Sequence, residues 1–285
     1  MTTRKKHLHG KHDLESAISL VFLDTGAAEG VPVLGCSCSN CQAAKKSPRS
    51  RRQRASLLVQ TDRLNVLIDV PLEIREQLSR QDTPKIDVIL ITHWHIEHWI
   101  GLVELQHWDR ELTTGRRETF EVFMNKNAYN EFETFFSPLL RTCSPLLKEV
   151  IRAKKIEEYK PFVRDTVKII PVGLYHEMPS TGYVINAEGK KISYLLDTGE
   201  DIPQETLRLA QGSDVVVVDC NFEKRLSEYH LSTMGVGKLV DKIEPKMTYL
   251  SHISHRNLPH EELEDFFIKS GANIMPAYDG LRVQI

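Results

Sequence analysis

His93-Trp94-His95-Ile96-Glu97-His98 places three imidazoles and a carboxylate within six residues. Imidazole nitrogen and carboxylate oxygen together suit a divalent cation such as zinc, manganese or iron. The stretch follows the apolar run 86–91, where a buried strand would end. In an extended segment His93 and His95 project to the same side. Glu97 and His98 then open a turn or helix and approach the same volume from another direction. Further candidate ligands stand behind other apolar runs: Asp69 after Val66-Leu67-Ile68, His176 shortly after 169–172, Asp197 after 193–196, and His252 after Thr248-Tyr249-Leu250. Strand ends on one rim bring distant positions together. Five such positions point to a shared site.

Cys36, Cys38 and Cys41 form a second cluster, and the chain has five cysteines in all. Such tight spacing favours a common metal over disulfides. Cys143 and Cys220 have no partner pattern and read as packing residues. Residues 1–17 read as a flexible tail whose His7, His9 and His12 have no functional role. Residues 1–12 are basic but lack the apolar core of an export signal, so a reducing cytoplasm is the expected compartment.

The elements that must position these groups alternate between strand and helix. Strands are expected at 19–23, 55–60, 65–69, 86–91, 122–124, 167–172, 182–185, 191–196, 214–219, 247–250 and 281–285. Helices are expected at 71–81, after His98, and at 127–136, 204–210, 231–242 and 261–269. The basic stretch 42–54 also looks helical. Its arginines, 49–54, read as a solvated helix end, with phosphate guidance as the alternative. The aromatic residues of 127–136 read as core more than as a pocket wall. Neither a repeat nor a linker interrupts 18–285, so one layered α/β domain is expected. The 285 residues carry a net charge of -2, which implies no general attraction to nucleic acid or an anionic membrane. No apolar run approaches the roughly 20 residues that span a bilayer.

Taken together, these residues resemble the metallo-β-lactamase-fold hydrolase superfamily, whose members carry His-x-His-x-Asp-His after a strand and then a separate His, Asp and His. The finer similarity is to the phosphoribosyl cyclic phosphodiesterases of the carbon–phosphorus-lyase pathway. It rests on Gly26 to Pro32, the Cys36-x-Cys38-x-x-Cys41 loop and Ser251-His252-Ile253-Ser254-His255. Asp219-Cys220 and Tyr278-Asp279-Gly280 resemble further family segments. The resemblance implies a four-layer αββα sandwich with two catalytic divalent metals (Zn, Mn or Fe). His93, His95 and His176 would hold the first, Glu97, His98 and His252 the second, and Asp197 would bridge. It implies a structural zinc on Cys36, Cys38, Cys41 and His255. It also implies a metal-bound hydroxide attacking a small or cyclic phosphate ester, with His230 contacting phosphate or protonating the leaving group. Asp69 joins the catalytic set as the partner that orients a motif histidine, a purely structural strand-end acid being the other reading. The partner is then a small-molecule phosphate ester, and the oligomeric state stays open, a homodimer included.

Glu97 departs from the family pattern, which has Asp. One more methylene loosens or crowds the second metal, and Trp94 and Trp99 beside it are bulky. Two alternatives follow. One is a different enzyme on the same scaffold, another hydrolase or an iron-dependent oxidative enzyme. The other is a non-catalytic, metal-stabilised binding protein.

Overall fold

The computed structural model describes residues 18–108, 119–143 and 149–285. The expected tail, with His7, His9 and His12, lies outside the described residues, as does the side chain of Cys143.

Two seven-stranded sheets form the centre. The first contains β1 (Ser19–Asp24), β2 (Ser56–Gln60), β3 (Asn65–Ile68), β4 (Val88–Ile91), β5 (Phe120–Met124) and β6 (Ile151–Lys155), with β14 (Arg282–Gln284) beside β1. The second runs from β7 (Phe162–Arg164) through β8 (Val167–Leu174), β9 (Ser180–Ala187), β10 (Lys190–Leu195), β11 (Val215–Asp219) and β12 (Met247–Ser251) to β13 (Ile274–Pro276). β3 to β6 pair parallel, as do β10 to β13, and the remaining pairs are antiparallel.

Both faces of each central strand are buried, which explains the near-continuous apolar runs. Along β4, Val88 and Leu90 join Leu20, Phe22, Tyr183 and Tyr194 between the sheets, while Ile89 and Ile91 face an outer helical layer. That layer contains α2 (Ile74–Ser79), a 3-10 segment Ile100–His107, and α3 (Lys126–Glu131), which continues as a π-helical turn Phe132–Phe136 into α4 (Ser137–Cys143). Along β11, Val215 and Val217 point between the sheets, and Val216 and Val218 meet α5 (Gln204–Ala210), α6 (Thr233–Ile243) and α7 (His260–Ser270). The four layers are αββα, as the resemblance implied.

Three expectations change. The helix expected at 42–54 is only α1 (Ser39–Ala44), after which the chain turns and bridges back to Gly26 and Val31. Arg51 is exposed, as a solvated end would be, but the other arginines are engaged within the fold. Arg52 is 2% exposed and donates to Thr25 Oγ1 (2.5 Å) and to the Ala277 carbonyl (2.6 Å). Arg49 pairs with Glu264, and Arg54 with Glu73. The helix expected after His98 is 3-10, split at Trp99. Edge strand β6 is too polar, and β7 and β13, at three residues each, are too short, to be read from pattern.

Candidate metal centre and active-site cleft

The seven expected cation ligands converge at one edge of the sandwich. β3, β4, β8, β10, β11 and β12 all end there, and the loops that follow carry Asp69, His93 to His98, His176, Asp197, Asn221 with His230, and His252. His95 Nδ1 faces His93 Nε2 at 2.9 Å and His176 Nε2 at 3.3 Å. Asp197 Oδ2 lies 3.2 Å from His252 Nε2, 3.5 Å from His98 Nε2 and 4.0 Å from His93 Nε2. Ligand atoms of Glu97, His98 and His252 fall within 4.8 Å of one another.

The buried atoms fit divalent cations. Both Asp197 carboxylate oxygens, His98 Nε2 and His252 Nε2 are buried without a hydrogen-bond partner among the described residues. Such groups cost several kcal/mol unless something satisfies them, and cations would do so.

Three outward ring nitrogens, those of His98, His93 and His176, are held as ligation requires. His98 Nδ1 donates to Asp69 Oδ2 at 2.8 Å. Asp69 also accepts from the Thr92 backbone N–H (2.9 Å) and hydroxyl (3.0 Å). The Thr92 hydroxyl in turn sits 3.0 Å from His93 Nδ1. One fully buried carboxylate therefore orients His98 directly and His93 through Thr92, and it acts through them without reaching the cleft. His176 Nδ1 donates to the Tyr229 carbonyl at 3.2 Å. The Asn221 amide lies 3.1 Å from His252 Nδ1. Asp69 and His252 both have left-handed backbones, φ 62° and 53°, conformations that L-residues adopt at a cost when structure enforces them.

Electrostatics separate the histidines by neighbour. Burial pushes His93 and His252 down, His252 to about 3. Burial opposes charge on His98 too, but Asp69 and Asp197 overcome it and hold the ring well above its ordinary value. Burial works against an ionised Asp197, yet the charges of His252 and His98 bring it well below the carboxylate range. His230 is raised to about 9 against the effect of burial, because Asp219 Oδ2 sits 2.6 Å from its Nδ1. Asp219, Asn221 and Thr92 were given no role from sequence. Each stands within two residues of a strand end, and Asp219 also belongs to one of the segments that carry the resemblance.

His230 stacks on the His252 ring at 5.4 Å and lines a cleft of about 520 Å³. His95, Glu97, Phe222, His252 and Arg256 also line the cleft. Trp94 and Trp99 are not among them. They stack at 4.1 Å and pack on Phe132 and Phe136, anchoring the motif from behind. Gly199, two residues after Asp197, passes so close to the Glu228 carbonyl that a Cβ would sit 1.8 Å away.

The cysteine cluster lies against the same cleft. Cys36, Cys38, Cys41 and His255 bring their ligand atoms within 4.8 Å of one another, with His255 Nδ1 3.3 Å from Cys36 Sγ. That Cys3His set would hold a tetrahedral zinc. Cys220 is buried in the outer core, and Asn257 Nδ2 donates to its sulfur at 3.5 Å.

Comparison with known proteins places this geometry. A solved diphosphatase of the PhnP family is 29% identical, covering 94% of this chain and 98% of its own, with a TM-score of 0.79. Zinc-bound PqqB from Methylobacterium extorquens is 18% identical over 94% of this chain and 100% of that one, with a TM-score of 0.75, a likeness of fold. An octanoyltransferase from Porphyromonas gingivalis is 26% identical over 93% of this chain, which spans only 51% of that relative's length. The family model for the beta-lactamase superfamily domain matches residues 64–253, about two-thirds of the chain. The chain belongs to the beta-lactamase superfamily domain family and is a metal-dependent hydrolase of the metallo-β-lactamase fold.

Proposed function

We propose that the protein is a phosphodiesterase acting on a small or cyclic phosphate ester. The observation that carries this reading is the placement of His230. Hydrolysis of an alkyl phosphodiester needs a proton for the departing alkoxide. A histidine raised to about 9 by Asp219 carries that proton at neutral pH, beside the ligand cluster.

His93, His95 and His176 would hold one cation, Glu97, His98 and His252 a second, with Asp197 between them. Bound there, two divalent cations supply a nucleophilic hydroxide at neutral pH and stabilise charge on the phosphoryl oxygens. The chain's own residues do the rest. Asp69 and Thr92 fix the rings of His98 and His93. His230 Nε2 donates its proton to the leaving oxygen, and Asp219 stabilises the charged ring beforehand. The longer Glu97 still reaches His98 and His252 and makes no other ion pair among the described residues, which supports a retained second site. The cleft is sized for a small ligand and carries one guanidinium, Arg256. No helix of the described residues is long and apolar enough to cross a membrane.

The test is hydrolysis by protein reconstituted with zinc, manganese or iron. The panel comprises bis-p-nitrophenyl phosphate, 2′,3′-cyclic nucleotides and cyclic sugar phosphates, with acyl and thioester controls. Turnover of a phosphodiester that His95→Ala abolishes while the fold is kept supports the proposal. Turnover of acyl esters alone refutes it.

A further inference from the structure

Glu177 follows His176 directly, yet its contact is with a different ligand. Its Oε1 lies 2.8 Å from His95 Nε2. His95 already turns Nδ1 toward His93 and His176, so Nε2 is its outward nitrogen. An imidazole that offers the Nδ1 lone pair must carry its proton on Nε2. A carboxylate accepting from Nε2–H enforces that tautomer and strengthens Nδ1 as a donor.

The other ligand histidines take their outward contacts from buried or backbone groups: Thr92, Asp69, the Tyr229 carbonyl and Asn221. Glu177 differs in two respects. Its side chain is 54% exposed and forms part of the cleft wall. It also lies on the β8–β9 loop that delivers His176, so one short loop supplies a ligand and clamps a second ligand arriving from β4.

We infer that Glu177 is the positioning residue for the first cation, fixing the Nδ1-presenting tautomer of His95 and locking the two ligand loops together. The inference rests on the assignment of His93, His95 and His176 to a cation, and not on the identity of the substrate.

Cobalt titration of apoprotein tests it without turnover. Cobalt bound to the cysteine cluster gives a strong thiolate charge-transfer band, an internal control that Glu177 should not move. In Glu177→Ala, cobalt affinity at the histidine triad should fall about 10–100-fold, the usual consequence of removing an outer partner of a ligand. The weaker d–d bands should change shape and the thiolate band should not. Glu177→Gln keeps an oxygen that accepts from Nε2–H and should restore affinity to within a few-fold of wild type. Wild-type affinity and unaltered d–d bands in Glu177→Ala would overturn the inference while leaving the cation assignment standing. Wild-type protein that takes up cobalt only at the cysteine cluster would overturn both. A phosphodiester screen without turnover would bear on the proposed activity alone.

Discussion

Replacing Asp69 by Asn tests whether one carboxylate organises the cluster. Its left-handed backbone, φ 62°, is one that Asn tolerates, so the change is electronic with little added backbone strain. Asp69 has two accepting oxygens and three donors: the Thr92 N–H, the Thr92 hydroxyl and His98 Nδ1–H. Asn has one. With its oxygen on the Thr92 N–H, its NH2 faces His98 Nδ1. Then either two donors oppose each other, or the His98 proton moves to Nε2 and blocks the ligand lone pair. A hydrogen bond to a charged partner contributes about 1.5–3 kcal/mol, and 1.4 kcal/mol is tenfold in affinity. Affinity for the cation at His98 should therefore fall about 10–100-fold, with a smaller loss at the His93 triad, which Asp69 reaches only through Thr92. Chelator competition followed by elemental analysis would show one cation lost well before the other. Simultaneous loss of both, or wild-type retention of both, would refute this division of labour.

His230→Ala should lower kcat about 10²–10⁴-fold for an alkoxide leaving group and far less for p-nitrophenolate, which departs without a proton; equal losses would remove His230 from general-acid duty. Gly199→Ala should lower the melting temperature by about 2–12 °C, the range for about 1–3 kcal/mol of overpacking in a chain of this size, and reduce kcat as Asp197 is displaced; calorimetry and initial rates check both. His260 supplies a pH test remote from the cluster. Burial first, then the charge of Arg52, pushes it down to about 3, and Arg52 Nη2 donates to its Nδ1 at 3.1 Å, which requires a neutral ring. Between about 6.5 and 3 the unfolded chain binds the proton that the folded chain refuses, so stability is lost as pH falls through that window. His260→Asn, which keeps an acceptor for Arg52, should flatten the acid limb of urea midpoints between pH 7 and 4; a limb parallel to wild type would contradict the account.

How much was legible beforehand depended on the range of the forces involved. The candidate ligands lie at strand ends, and strands such as 88–91 and 215–219 announce themselves because burial on both faces demands unbroken apolar runs. The His and Cys spacings are local too. The partners that make ligation work are not. Glu177 resembles any surface acid until His95, 82 positions earlier, folds against it, and Thr92 looks like a β-strand residue until its hydroxyl meets Asp69. The arginines of 49–54 misled for the same reason: a basic run on a short helix suggests solvent, whereas the turn after Ala44 buries Arg52. β6 escaped notice because Arg152, Lys154 and Lys155 give this edge strand the polar character that discourages further pairing.

Four consecutive residues, 252–255, begin at the histidine that faces Asp197 and end at the histidine that faces the thiols. Three peptide steps span at most about 11 Å, and Ile253 is pinned midway by hydrogen bonds to Thr25 and Ala27. So short and taut a tether has little slack to absorb a disturbance at either end. Oxidation of the sulfurs would tug on His252, and any turnover that depends on it would fail from the scaffold side with that imidazole chemically intact.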